Sequence, residues 1–335
     1  MTPPHSTTPV DVVLPAYNGA AMIRAAIESA LRQDVPLRII VVDDGSRDDS
    51  AAIARSCGER VEVIVQENRG VSGARNTALR AARAPYVAFL DQDDVWKPGK
   101  IRRQLDLIEH RPDVGMVFTD MTILDPDGAV HEDGFLAATS QYAALEREAL
   151  GDHAFLLPPE LAEAVVRFNF VSPSTTLVRR EALEQVGAFD EQFRLCDDAE
   201  CWMRLLSRWR GIAIEECLVL SYRWGGNASL VRARALMEER IRIGDKVRAS
   251  PASYPPGSVD YFRRARPVAL YRMGMAALRG GDATGARAHF AESLRERFAP
   301  ATLAALAFTM LPAALRRPLL RAKRAAGLRW SLRIE

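Results

Sequence analysis

Cysteine is scarce: Cys57, Cys196, Cys201 and Cys217 are the four in 335 residues. They form no dense framework, which excludes a disulfide-stapled scaffold and fits a reducing compartment. Cys196 and Cys201 have neither a second close pair nor a His nearby, so zinc is not expected. No run of 18 apolar residues occurs, which excludes a helix crossing a bilayer outright. The opening MTPPHSTTPV lacks the basic and apolar regions of a secretory signal, and cytoplasmic placement is the expectation. Charge of one sign is lacking too: 45 Lys and Arg against 43 Asp and Glu leave +2, with no overall field that asks for nucleic acid.

What is present suffices for a core, with 48% hydrophobic and 26% charged residues, enough for one large domain or two ordinary ones. Charge is local. Four Asp fall within residues 40 to 50, and seven Lys or Arg against Glu335 follow Leu315.

Over the first 120 residues β-rich runs alternate with helical patterns: VDVVLP, RIIVVD, VEVIVQ, YVAFLD and VGMVFTD, each separated by helix-forming sequence. Runs apolar on both faces and spaced by helices predict a doubly wound, mostly parallel α/β sheet covered on both sides. Ligands in such sheets sit beyond the carboxyl ends of the strands. The polar clusters PAYN, DDGSRDD, ENRG and DQDD all follow strands, so one edge collects the chemistry.

A hairpin is expected around Asp125-Pro126-Asp127-Gly128. Residues 136 to 170 show no clear signature, STTLVRR resumes as a strand, 197 to 209 as a helix, and IAIEECLVLSYR as one or two strands. Beyond about residue 230 Ala, Arg and Leu recur at helical spacing, with a helix pair turning at Gly280-Gly281-Asp282, like one tetratricopeptide-type unit. The expected organisation is a flexible 1–9, an α/β domain over 10–230 and a helical C-terminal appendage over 231–335, with SPASYPPGS at 250–258 as linker. The stretch 299–335, apolar and then basic, is either a solvated helix or an anchor at an anionic membrane surface.

In FLDQDDVWKP, Asp91, Asp93 and Asp94 close an apolar strand. Unpaired carboxylates there repel one another and resist desolvation, so folding alone would not select them. A divalent cation, Mg²⁺ or Mn²⁺, resolves the conflict, because such ions take one or two carboxylates and complete their shell with phosphate oxygens and water. Asp91 and Asp93 share one side of an extended chain. The alternative is a solvated loop with Asp94 as a helix cap. In VVDDGSRDDS, Asp48 or Asp49 serves as cap to the next helix. Capping leaves over Asp44, which is placed to accept from a base N–H or a ribose hydroxyl.

VVLPAYNGA, VVDDGSRDDS, ENRGVSGARNTAL and YVAFLDQDDVWKPGKI, in this order and at these spacings, resemble the family 2 glycosyltransferases of GT-A fold. The likeness is specific over about 90 residues and weaker to about residue 230. It implies that Pro15, Tyr17 and Asp44 hold the uracil and ribose of a nucleotide sugar, that Arg75 lines the nucleotide pocket, that Asp91 faces ribose and metal, and that Asp93 is the principal metal ligand. It also implies that Asp198, in the Asp197-Asp198 pair before a Trp-containing helix, is the catalytic base. The residues by themselves leave a helix-capping role open for that pair.

The implied activity is inverting, metal-dependent transfer of a sugar, with a UDP-sugar as the expected donor, to a glycan or lipid-linked acceptor in surface polysaccharide or glycoconjugate synthesis. In YRWGGNASL, Gly225 stands where the family often has His, which leaves Arg223 as a candidate diphosphate contact. Trp96 either stacks on acceptor or closes the site, and Asp197 is a further candidate contact. Trp202, Met203 and Leu205 are expected in the core. Two other readings are a sugar-1-phosphate nucleotidyltransferase, disfavoured because LPAYNGAAMIR has one Gly where a phosphate loop needs several, and a catalytically silent nucleotide-binding module.

Overall fold

The structure is a computed structural model and describes residues 7–223 and 233–312. The chain divides into two compact units, residues 1–231 with Ala252–Pro255, and 232–251 with 256–335.

The first unit is built on an eleven-stranded sheet. Its strands are β1 (Val10–Ala16), β2 (Leu37–Asp43), β3 (Val61–Val65), β4 (Tyr86–Phe89), β5 (Asp94–Trp96), β6 (Val114–Leu124), β7 (Val130–Asp133), β8 (Glu148–Gly151), β9 (Ala154–Leu156), β10 (Thr176–Arg179) and β11 (Arg210–Tyr222). Their order is β3-β2-β1-β4-β10-β6-β11-β9-β8, with β5 paired to β11 and β7 to β6. The pairs β2-β3, β1-β2, β1-β4 and β6-β11 are parallel. The strand β10 enters antiparallel between β4 and β6.

The apolar runs explain the layers. β1 is buried along its whole length, as a strand covered on both faces must be, whereas β3 at the sheet's edge is half exposed. Val12, Leu14 and Ile39 pack with Ile27, Ile101 and Leu105 from helices α1 (Ile23–Leu31) and α4 (Lys100–Ile108). Phe89 meets the rings of Phe189 and Trp202 edge-on, at 5.4 and 5.8 Å between centroids, which places Trp202 in the core as expected, with Met203 and Leu205 also buried. The helices α2 (Ser50–Arg55) and α3 (Gly70–Ala81) follow the second and third strands.

The hairpin at Asp125–Gly128 is present, closed by the Gly128 N–H donating to the Asp125 carbonyl at 2.9 Å. Within 136–170, where no signature was legible, β8 and β9 form a second hairpin turning on Asp152 and His153, both at positive φ. The 250–258 stretch is more than a linker: Tyr254 is buried in the first unit and its hydroxyl donates to Glu200 at 2.6 Å.

The second unit is helical: Ala233–Ala249, Ser258–Arg279, Ala283–Glu296 and Pro300–Met310. The turn at 280–282 is as expected, with Gly281 at φ +87° and the Asp282 carboxylate accepting from the Gly285 N–H at 2.8 Å. Tyr271, Ala277, Leu278, Ala286, Phe290 and Ala305 make its core. Among the described residues no helix is long and apolar enough to cross a membrane. Gly225 and the basic residues after Pro312 lie outside the described residues.

Candidate active site

The carboxyl ends of β1, β2 and β4 share one edge of the sheet because these strands run parallel. Beyond β1, the Tyr17 N–H donates to Gln92 Oε1 at 2.9 Å and the Gln92 amide donates back to the Tyr17 carbonyl at 3.2 Å. The backbone is thereby clamped to the Asp91–Asp94 loop while the Tyr17 side stays 47% exposed, a flat surface available to a base. Pro15 lies one residue inside the strand end, opposite Val42.

Asp44 is 3% exposed and accepts from the N–H groups of Arg69 and Gly70, both at 2.8 Å, and from the Gln66 amide at 2.7 Å. Its carboxylate therefore satisfies orphan donors at the start of α3, a role the sequence reading did not give it. Asp48, not Asp49, takes the Ser50 N–H at the head of α2, and it also takes the Ala20 N–H.

The loop after β4 answers the charge question unevenly. Asp91 is partly exposed, and its N–H donates to Ser174 Oγ at 3.0 Å. Asp93 follows at the rim, half-buried. Asp94 is buried as the first residue of β5, opposite Ser221 of β11, which rules out the alternative of a solvated loop with Asp94 as a helix cap. Burial, then the charges of Asp93 and Asp91, push its carboxyl well above the usual range, against the pull of hydrogen bonds from Ser174 and Ser221. Among the described residues no three His, Cys, Asp or Glu side chains form a preassembled cation site. What is present is two carboxylates two residues apart, Asp91 and Asp93, at the rim of the loop, whose charges add to the burial of Asp94. That donor set suits a hard divalent cation completed by a substrate's phosphate oxygens.

The Asp197-Asp198 pair opens the helix Asp197–Leu206. Arg75 reaches it from α3: Nη1 donates to Asp197 Oδ2 at 2.6 Å while Nη2 donates to Asp91 Oδ1 at 2.7 Å. Arg75 is 4% exposed, and its guanidinium lies 5.4 Å from the Phe189 ring centroid. Asp198 is held differently, with Asn169 Nδ2 donating to its Oδ2 at 3.0 Å. Burial first, and the adjacent Asp197 second, push Asp198 up to about 7, with Arg75 opposing. Burial also raises Asp197, against the field and hydrogen bond of Arg75.

One candidate is placed elsewhere than expected. Trp96 is 2% exposed; its indole N–H donates to the Ser174 carbonyl at 2.8 Å and Lys100 Nζ sits 4.3 Å over its ring, so it is core and offers no surface to an acceptor. The Arg223 backbone continues the β6 pairing through the Leu124 carbonyl, two residues beyond the position opposite Asp94, and its side chain meets His131. Asn169, Ser174 and Gln92 were missed. Each lies far in sequence from the residue it serves, and none carries a local signal.

The Glycosyl transferase family 2 model matches residues 11–187. The succinoglycan biosynthesis protein ExoU of Rhizobium meliloti (strain 1021) is 29% identical over 235 residues, 68% of this chain and 64% of its own length. WfaP of Escherichia coli, a UDP-Glc:alpha-D-GlcNAc-diphosphoundecaprenol beta-1,3-glucosyltransferase, is 28% identical over 205 residues, 59% of this chain and 70% of its own. The chain spans between 58% and 64% of the length of the curated relatives it matches first. Among solved structures, Staphylococcus aureus TarS 1–349 in complex with UDP-GlcNAc superposes with a TM-score of 0.59 at 18% identity, covering 94% of this chain and 87% of that one, which identifies a common fold.

Proposed function

The chain belongs to glycosyl transferase family 2, and from that premise we propose that it is an inverting, metal-dependent glycosyltransferase that moves a sugar from a nucleotide sugar, a UDP-sugar first, to a hydroxyl of a glycan or lipid-linked acceptor. The observation that carries the reading is Arg75: by touching both Asp91 and Asp197 it brings the Asp-x-Asp loop and the Asp197-Asp198 pair into one site. The UDP-sugar and the lipid-linked acceptor draw support from WfaP, and a role in polysaccharide synthesis from ExoU.

In this reading the exposed Tyr17, with Pro15, receives the base. Asp44 acts on the nucleotide through the loop it fixes, residues 66–70, because its own carboxylate is committed. Asp93 and Asp91 would hold Mn²⁺ or Mg²⁺, which when bound supplies positive charge beside the departing diphosphate. The acceptor hydroxyl forms the new bond to the anomeric carbon, the diphosphate leaves with the old bond's electron pair, and Asp198 takes the hydroxyl proton. A carboxyl pushed up to about 7 is matched to that task, since proton transfer is most efficient when the base's pKa lies near the working pH. Arg223, beyond the strand end next to Asp94, is kept as a candidate diphosphate contact.

We place the enzyme in the cytoplasm at the inner membrane face. Support comes from Phe298, Leu303 and Met310, which are exposed on and beside the apolar helix Pro300–Met310, and from the basic sequence that follows. The test of function is a screen of UDP- and GDP-sugars for nucleotide release with wild type and Asp198→Asn. Release from a UDP-sugar by wild type and not by the variant is expected. Equal release by both discards Asp198 as base, and no release from any donor discards the transferase reading.

A further inference from the structure

The most buried cation of the site is not where a nucleotide-pocket residue should be. Arg75 projects from α3 with both terminal nitrogens engaged, one on Asp91 and one on Asp197, while its Nε is buried without a partner. At 4% exposure it has no face left for a base or ribose. Its helix is fixed at both sides of the site. Asp44 caps the start of α3, and Ser72 and Asn76 bind the loop leading to Asp197, through the Phe193 carbonyl and, at 2.8 Å, the Phe189 carbonyl. Arg69 adds an ion pair to Glu191 at 2.7 Å.

We propose that Arg75 is a positioning residue which, as the shared counter-ion of Asp91 and Asp197, ties the donor side of the site to the acceptor side and leaves Asp198 as the member of its pair that takes the acceptor's proton. The fork geometry matters. One guanidinium donates to two carboxylates on different elements, whereas a Lys ammonium is a compact point charge without that fork. With Asp197 neutralised by Arg75 and Asp198 held by Asn169, the two adjacent carboxyls are assigned different work by their partners. The charged or titratable groups acting on Asp198 are Asp197 on its own helix, Arg75 from α3 and Asp91 from the loop after β4, with the Cys201 thiol one turn along.

The inference rests on Asp198 being the base, and the test separates the two. In full-length Arg75→Lys we expect a melting temperature within about 4 °C of wild type, UDP affinity by calorimetry within about threefold, and kcat lower by about 10²-fold, the cost of a misplaced reacting group. The acid limb of the kcat–pH profile moves to higher pH, because an ammonium without the fork cannot face both carboxylates at once, and a weakened counter-ion favours the protonated carboxyl. In Asp197→Asn the limb moves to lower pH, because the neighbouring negative charge is gone. Opposite displacements support the assignment. A Lys variant with an unmoved limb and native-like melting overturns it, as does a loss of UDP affinity that matches the loss of kcat, which would make Arg75 a nucleotide contact. Should Arg75→Lys not fold, an unmoved limb in Asp197→Asn overturns it alone. Wild-type turnover by Asp198→Asn instead removes the base reading, whatever the Arg75 profiles show.

Discussion

Asp197 and Asp198 are adjacent in the chain and share a helix terminus, yet their carboxyls have different neighbours. Asp197 faces Arg75, while Asp198 faces Asn169 and is pushed up to about 7. In the proposed reaction transfer needs Asp198 ionised, so kcat should be lost as pH falls through about 7, and a pH series of nucleotide release checks this. Asn169→Ala should lower kcat by about tenfold or more, with nucleotide affinity unchanged, since it removes the hydrogen bond that aims the base; calorimetry with UDP beside steady-state rates reads both. Trp96→Ala tests the residue placed in the core: a loss of about 3–5 kcal/mol in denaturant unfolding is expected, as for a large buried aromatic. A stable Trp96→Ala protein with a weakened acceptor KM would restore the stacking role.

At the scale of elements, α3 owes its start to Asp44, whose three acceptor bonds are spent at or before its first turn. Asp44→Ala should cost about 1–3 kcal/mol by leaving buried N–H groups unpaired, and nucleotide affinity should fall with it because residues 66–70 lose their anchor. Thermal melting and UDP calorimetry test the two together. The strands and helices around this edge were legible because their apolar runs are long and buried on both faces, β1 being the clearest. The β8-β9 hairpin was not, because it turns on Asp152-His153 instead of the Asn-Gly pair that such positive-φ turns favour. The strand that holds Asp94 was not legible for a related reason: a three-residue strand such as β5 leaves no periodic trace, and only pairing with distant β11 defines it.

For the whole molecule, motif order carried the family and the parallel half of the sheet, while the partners that set the site's electrostatics came from far along the chain. Arg75 was legible as a basic residue of the site, but its bond to Asp197 joins positions 122 apart, a contact that spacing in sequence does not encode. The second unit was readable as helices because Ala, Arg and Leu recur at helical spacing, and its turn because Gly280-Gly281-Asp282 combines a positive-φ residue with a cap. In the proposed site the Asp-x-Asp loop binds donor through a cation and Asp198 acts on the acceptor. Calorimetric titration of UDP with Mn²⁺ and with EDTA, on wild type, Asp93→Asn and Asp198→Asn, tests it most directly. Mn²⁺-dependent binding by wild type and Asp198→Asn, weakened by about tenfold or more in Asp93→Asn through the lost charged ligand, is the predicted result. Binding that ignores both Mn²⁺ and Asp93 would contradict the account.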